Sequence, residues 1–335
     1  MPIKKSASLT LESFHDVPKY MDLSLLETMR VIALPTKTNF RGVQFREIAL
    51  FQGPSGWGEF SPFLEYGPAE SLPWLQSALE AALGERPTTL RSSVKVNGTI
   101  PALNKREEIE AIVDSFPGVE TFKVKVGANL SEDIARLATV KSLRPKAQIR
   151  IDVNGTWSVS QAITNLRAIY ENIGPLQYVE QPCATVEELR ELKKKLLIPI
   201  LIAGDEVLRK AQDPFAIDLS DAIDILMLKV QPLGGITRAK KLATHHKLPV
   251  VVSSALESAV GIHYGLLLAA SLPELNFDCG LGTGSLLTHD VAHLPIVDGA
   301  IELKDFTPDL TGLDVDSGRL DWWKNRVMKV AELLP

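Results

Sequence analysis

The fold class that the sequence predicts is α/β, a (β/α) barrel carrying an α+β cap. Two observations predict it. From residue 92 onward, short apolar runs recur about every 25 residues, with amphipathic segments of helical period between them. Alternation of that kind builds parallel βα units, and eight strands are the number that closes them into a barrel. The rhythm is absent before residue 90 and stops after Leu286. The expected domains are therefore a cap, residues 1–90 with 290–335 returning to it, and a catalytic barrel, residues 91–289. An open doubly wound sheet is the competing architecture, but no Gly-x-Gly-x-x-Gly follows an early strand to support it.

In the cap, residues 25–32 and 44–51 read as strands joined by the polar loop 35–42. Residues 53–62 read as a second loop and 69–83 as a helix. Phe40, Arg41, Trp57 and Phe60 lie in those loops, placed either to cover a pocket or to pack their own domain. In the barrel the apolar runs are 94–100, 121–126, 148–153, 176–179, 198–203, 222–230, 248–252 and 275–280. Helical segments between them include 132–143, 159–171, 186–196 and 237–246, and 299–304 reads as one further strand.

A net charge of −5 without a basic stripe argues against a nucleic-acid partner. No run of about 18 apolar residues argues for a membrane span, and the start, Met-Pro-Ile-Lys-Lys-Ser, lacks the apolar core of a signal peptide. Cys183 and Cys279 are the two cysteines, without metal-type spacing, so a reduced cytoplasm fits best. The expected partner is a small molecule, and nothing selects a monomer over a homo-oligomer.

The strand ends carry the chemistry. In the run 121–126, Lys123 and Lys125 are two apart, so in a strand they share a face. Each ammonium disfavours protonation of the other, which pushes one amine toward a usable base; a solvated strand face is the alternative use of such a pair. Later strand ends offer Asp152 with Asn154, then Glu180, Asp205, Lys229, Ser253 with Ser254, and the turn Gly280-Leu-Gly-Thr-Gly284. Three carboxylates aimed into one cup repel one another unless a cation lies between them, and oxygen ligands alone suit Mg²⁺. For any one carboxylate, and for Asp205 above all, a helix N-cap is the alternative. Lys125 and Lys229 come from strands two and six, which face each other across an eight-stranded barrel. A carboxylate substrate held between them can lose its α-proton to one lysine while the other cation stabilises the enediolate.

The Lys-x-Lys, Asp, Glu, Asp, Lys series over nearly the whole chain resembles the muconate-lactonizing subgroup of the enolase superfamily. That resemblance implies a modified TIM-type (β/α)7β barrel with a capping domain. It also implies Mg²⁺, with Mn²⁺ as a substitute, on Asp152, Glu180 and Asp205. Within the subgroup, Phe40-Arg-Gly42, Gly56-Trp-Gly-Glu-Phe-Ser-Pro-Phe-Leu-Glu-Tyr66, Ser253-Ser-Ala-Leu-Glu-Ser258 and Asp278-Cys-Gly-Leu-Gly-Thr-Gly284 are similar to the o-succinylbenzoate synthase family. That family implies a lyase of menaquinone biosynthesis, performing syn dehydration of 2-succinyl-6-hydroxy-2,4-cyclohexadiene-1-carboxylate. Lys125 then corresponds to the base that later protonates the leaving hydroxide, Lys229 to the opposite cation, and Lys123 to the residue that tunes Lys125.

Ser253, Ser254, Gly282, Thr283 and Arg41 are the expected substrate-binding residues, with a tight turn as the alternative use of the glycines. Asn154 and Glu206 are expected to support the metal ligands from behind, and Arg150, one pleat deeper than Asp152, is expected in a structural ion pair. None of the six histidines is assigned to chemistry. A mandelate-racemase type is disfavoured because its seventh strand carries a histidine, where this chain has Ser253-Ser254. The alternatives are an N-acylamino-acid racemase, a dipeptide epimerase or a muconate cycloisomerase of the same subgroup, and, from a different class, a non-catalytic barrel. Asp278-Cys-Gly280 in place of Asp-x-Asp argues against the epimerase.

Overall fold

The computed structural model describes residues 24–40 and 42–335. Arg41, and with it one expected substrate contact, lies outside the described residues, as does the segment 1–23.

The described residues open with α1 (Ser24–Thr28), β1 (Arg30–Phe40), β2 (Val43–Gly53), β3 (Gly56–Phe60) and α2 (Pro68–Leu83). Residues 25–28 are helical, where a strand was expected: the turn is closed by Thr28 Oγ1, which donates to the Leu25 carbonyl. The expected loop 53–62 is largely β3, hairpinned to β2 with Gly53 opposite Gly56. Gly58 makes that strand fit, because a Cβ there would sit 2.1 Å from the Ala78 carbonyl oxygen of α2.

The antiparallel sheet β1-β2-β3 is buried on both faces by the period-2 alternation of its side chains. Val31, Ala49, Phe51 and Phe60 pack against α2, while Ile32, Leu34, Ile48 and Leu50 join the core of the barrel.

Next come β4 (Ser93–Lys95), β5 (Gly98–Ile100), α3 (Arg106–Asp114), β6 (Thr121–Lys125), α4 (Leu130–Leu143), β7 (Gln148–Asp152), α5 (Val159–Ile173) and β8 (Tyr178–Glu180). They are followed by α6 (Val186–Lys195), β9 (Leu201–Gly204), α7 (Glu206–Arg209), β10 (Ile225–Lys229), α8 (Ile236–His246), β11 (Val250–Ser253) and α9 (Ala259–Ser271). Strands β5 to β11 form one parallel sheet in chain order. The expected eighth strand is a short bridging segment that joins its two ends. Cys279 N donates to the Lys95 carbonyl and Gly280 N to the Val252 carbonyl, both at 2.8 Å.

Helix starts follow local chemistry. Ser158 with Gln161 and Thr185 with Glu188 each close a capping box, at α5 and α6. Helix α9 escaped the periodicity because it is apolar all round, wedged between the barrel and the cap.

The chain ends with β12 (Ile296–Val297), β13 (Ala300–Glu302) and α10 (Ser317–Ala331). The expected strand at 299–304 pairs with β4 beside the barrel, whereas α10 packs on α2 and buries Trp323 in the cap core. Among the described residues, no helix is long and apolar enough to cross a membrane. Cys183 and Cys279 are both buried free thiols.

Candidate active site

Strand register sets the geometry. Lys125 lies opposite Asp152, and Asp152 opposite Glu180, so the ends of β6, β7 and β8 form one row. Lys123 stands one pleat deeper on the same face. Its Nζ donates to Glu180 Oε2 at 2.8 Å and lies 3.4 Å from Asp152 Oδ2. Lys125 Nζ donates to Asp152 Oδ2 at 2.5 Å and to Asn154 Oδ1 at 2.9 Å. Across the barrel, Lys229 Nζ donates to Asp205 Oδ2 at 2.5 Å. Asp205 opens α7 but its side chain makes no capping bond; Oδ1 instead accepts from Arg209 Nε at 3.2 Å. The helix-cap use of Asp205 is thereby replaced by a charge cluster. Asn154 donates to Glu206 Oε1 at 3.2 Å, and Arg209 to the same oxygen at 2.9 Å.

Lys123, Asp152, Glu180, Asp205, Glu206 and Lys229 are buried and Lys125 is half-buried, so their charges act on one another with reduced screening. Burial lowers the Lys125 pKa, opposed by Asp152 and reinforced by Lys123. Lys123 goes the other way: burial works against its charge, but Glu180 and Asp152 together raise its pKa. The two lysines are thus shifted in opposite directions, Lys125 toward the neutral amine and Lys123 toward the charged form. Burial, and next the Asp152 charge, push Glu180 upward. Asp152 is held well below the carboxylate range because Lys125 and Lys123 outweigh its burial.

Lys123, Lys125, Asp152 and Lys229 line a cavity of about 30 Å³, with Glu180 and Asp205 behind them. Ser253, Ser254 and Thr283 form its polar wall, where Ser254 Oγ donates to the Gly280 carbonyl and meets Thr283 Oγ1 at 2.8 Å. Gly282 is not part of that wall. It faces a larger cavity, about 650 Å³, on the other side of the turn, and a Cβ there would crowd Asn97 and Phe116 at 3.1 Å. Phe60 is buried in the cap core against Trp323, and Trp57 lines a separate cavity beside His263, so neither covers the lysines.

Sequence reasoning missed Phe63, Ala255 and Leu256, the apolar wall of the lysine cavity, and Gln181, whose Oε1 accepts from Asp205 N and Val207 N. Gln181 follows Glu180 directly, and that adjacency was the available signal. Arg150 is not in the expected ion pair. It donates to Asn97, Gln177 and the Asp278 carbonyl, and its guanidinium lies 4.7 Å from the centre of the Tyr178 ring.

Residues 106–316 match the enolase C-terminal domain-like family, and residues 31–82 the enolase N-terminal domain-like family. The o-succinylbenzoate synthase of Mycobacterium ulcerans is 46% identical over 317 residues, 92% of this chain and 95% of that protein. That of Mycobacterium leprae is 47% identical over 92% of this chain and 93% of its own. The chain belongs to the o-succinylbenzoate synthase family of the enolase superfamily. Solved structures of that superfamily share the fold. Muconate lactonizing enzyme from Pseudomonas fluorescens gives a TM-score of 0.68 at 21% identity, covering 88% of this chain and 97% of its own. An isomerase from Streptomyces coelicolor gives 0.67 at 20% identity, covering 89% and 97%.

Enolase superfamily enzymes generally use Mg²⁺. Among the described residues, no three His, Cys, Asp or Glu side chains are drawn to metal-ligand spacing, because lysine ammoniums lie between the carboxylates. The residues nevertheless fit a hard cation. Asp152, Glu180 and Asp205 offer oxygen donors at adjacent strand ends, and Glu180 Oε1 is buried with no hydrogen-bond partner. A divalent cation competing for these oxygens would free the lysines for a substrate.

Proposed function

We propose that this protein performs the syn dehydration of 2-succinyl-6-hydroxy-2,4-cyclohexadiene-1-carboxylate to 2-succinylbenzoate, a step in menaquinone biosynthesis. The observation that carries the chemistry is the convergence of Lys125 and Lys229, from facing strands, on one cavity. The near-full-length likeness to named synthases carries the substrate.

Asp152, Glu180 and Asp205 would hold Mg²⁺ or Mn²⁺, which supplies positive charge to the substrate carboxylate when bound. Lys125, as the neutral amine, takes the proton from the ring carbon bearing the carboxylate, leaving an enediolate. The Lys229 ammonium, aimed from the opposite wall, stabilises that charge. Lys125, now an ammonium, returns its proton to the hydroxyl leaving from the neighbouring carbon. Water departs and the ring becomes aromatic. One lysine on one face performs both transfers, which makes the elimination syn. Lys123 stays charged and keeps the Lys125 amine from holding its proton too tightly. Asn154 and Glu206 orient Lys125 from behind, while Ser253, Ser254 and Thr283 offer hydroxyls to the succinyl arm.

The catalytic unit in this reading is the barrel, residues 91–289. The cap in this reading is the stretch from residue 24 to about 90, joined by α10 of the tail. The work is assigned to the cytoplasm. Purified protein, the cyclohexadiene substrate and Mg²⁺ should yield the aromatic product by its ultraviolet absorbance. No absorbance change with metal and substrate in excess would refute the assignment.

A further inference from the structure

Leu256 has φ +64° and is 1% exposed, a left-handed backbone in a branched, buried residue that lines the lysine cavity. Such a conformation persists only where its surroundings impose it, and it clusters at functional sites. Here the cap imposes it. Arg46 of β2, 2% exposed, donates from Nε to the Leu256 carbonyl at 3.1 Å and from Nη2 to the Ser61 carbonyl. The same guanidinium lies 4.4 Å from the centre of the Phe63 ring, which also lines the cavity.

Two residues along, Glu59 of β3 takes hold of the same barrel loop. Its carboxylate accepts from Ser258 Oγ at 2.5 Å, Ser258 N at 3.3 Å and Gly261 N at 2.9 Å. Within the loop, Glu257 Oε2 accepts from Ala255 N at 2.6 Å.

We infer that Arg46 is a positioning residue. From the cap it fixes Leu256 and Phe63 as the apolar lining of the lysine cavity, which receives the carbon ring of the substrate. The choice of a carbocyclic substrate over an open-chain one is thereby set by a cap residue that touches no substrate. Arg46 is suited to this because its planar fork serves two carbonyls while its face covers a ring, which a lysine cannot reproduce. The inference rests on the proposed dehydration for its substrate, but the clamp on residues 254–258 is testable without it.

The experiment compares wild type, Arg46→Gln, Leu256→Gly and the double variant. Hydrogen exchange at amides 254–258 is read together with steady-state kinetics on the cyclohexadiene substrate. Arg46→Gln should speed exchange at 254–258 selectively and raise KM about tenfold or more, with a smaller loss of kcat. Glycine adopts φ +64° without strain but has no side chain to offer the ring, so Leu256→Gly should raise KM alone. If Arg46 acts through Leu256, the double variant should resemble Leu256→Gly rather than sum the two effects. Unchanged exchange at 254–258 in Arg46→Gln would overturn the clamp, whatever the kinetics. Additive KM effects would overturn the route through Leu256. An inactive wild type would instead remove the proposed dehydration and leave the exchange result to decide the clamp.

Discussion

Lys125 and Asp152 end neighbouring parallel strands directly opposite one another, and their side chains meet at 2.5 Å. The base of the proposed reaction is therefore parked on a proposed metal ligand. Charge on one bears on charge on the other, and a cation held by the carboxylates would compete with the amine for Asp152.

Replacing Lys125 tests its role directly. Lys125→Arg keeps the positive charge but substitutes a group too basic to accept a proton, so dehydration should be abolished. Lys229→Arg keeps a cation near the enediolate and should retain part of the activity. Lys229→Ala should lose about 10²–10³ in kcat, as for a removed oxyanion donor. Deuterium exchange from solvent at the acidic ring carbon of a non-eliminating analogue gives the discriminating readout. If Lys125→Arg still exchanged that proton, the base would have to be Lys229.

The three carboxylates predict a metal-affinity pattern. Asp152→Asn, Glu180→Gln and Asp205→Asn should each weaken Mg²⁺ binding and activity together, measured by calorimetry and turnover. Glu180→Gln is informative because Oε1 has no partner within the protein, although the lost charge should also lower the Lys123 pKa. Unchanged affinity in all three variants would sink the site.

Most of this site was legible because a strand repeats every two residues. Parity puts Lys123 and Lys125 on one face, and the structure's register sets Lys125, Asp152 and Glu180 in one row at the strand ends. Phe63 and Leu256 were not legible. They reach the cavity only because Arg46, 210 positions before Leu256, holds the loop, and no local pattern encodes that contact. The β3 hairpin was hidden by its own glycines. Gly56 and Gly58 read as loop formers, yet Gly58 is present so that α2 can approach the strand.

Stability should depend on pH through two acids outside the lysine–carboxylate cluster, Glu257 buried and Asp290 half-buried. Glu257 and Asp290 are each pushed up to about 7, by burial first and further by the Glu59 charge. An acid raised on folding binds its proton more tightly in the native state. Its contribution is complete below the unfolded value of about 4 and is lost as pH climbs through about 7. The urea midpoint should therefore fall between about pH 4 and 7, and Glu257→Gln, which cannot ionise, should flatten part of that fall. An identical pH slope in the variant would show that Glu257 is ionised in both states.

The tail should matter to the cap more than to the barrel. Trp323 of α10 is fully buried against Phe60 at 5.9 Å, and its Nε1 donates to Glu47 Oε2 at 2.7 Å. Trp323→Ala removes the ring and one of the two donors to that carboxylate oxygen, leaving Arg319 Nε at 2.6 Å, so a loss of about 3–5 kcal/mol, mostly from the cavity, is expected in urea unfolding. A loss below about 1 kcal/mol would mean that the cavity collapses or that α10 is dispensable to the cap.

Helix α8 supplies the last test, because it borrows its cap from another domain. Its N-cap residue is Gly235, at φ +106°, which has no side chain to satisfy the first amides. Glu80 of α2 does so instead: Oε1 accepts from Ile236 N at 2.8 Å, Thr237 N at 3.1 Å and Tyr264 Oη at 2.7 Å. The carboxylate also opposes the positive end of the helix. Burial raises the Glu80 pKa against these donors, so the bonds are what keep an acid tolerable there. Glu80→Ala leaves buried donors unpaired and should cost about 1–3 kcal/mol, with faster amide exchange at 236 and 237. Glu80→Gln keeps an acceptor and should cost less than the alanine. Because α8 follows the strand that ends in Lys229, the alanine variant should also loosen that lysine and lower kcat more than it raises KM. Equal stability of the glutamine and alanine variants would show that the contact is packing rather than a cap.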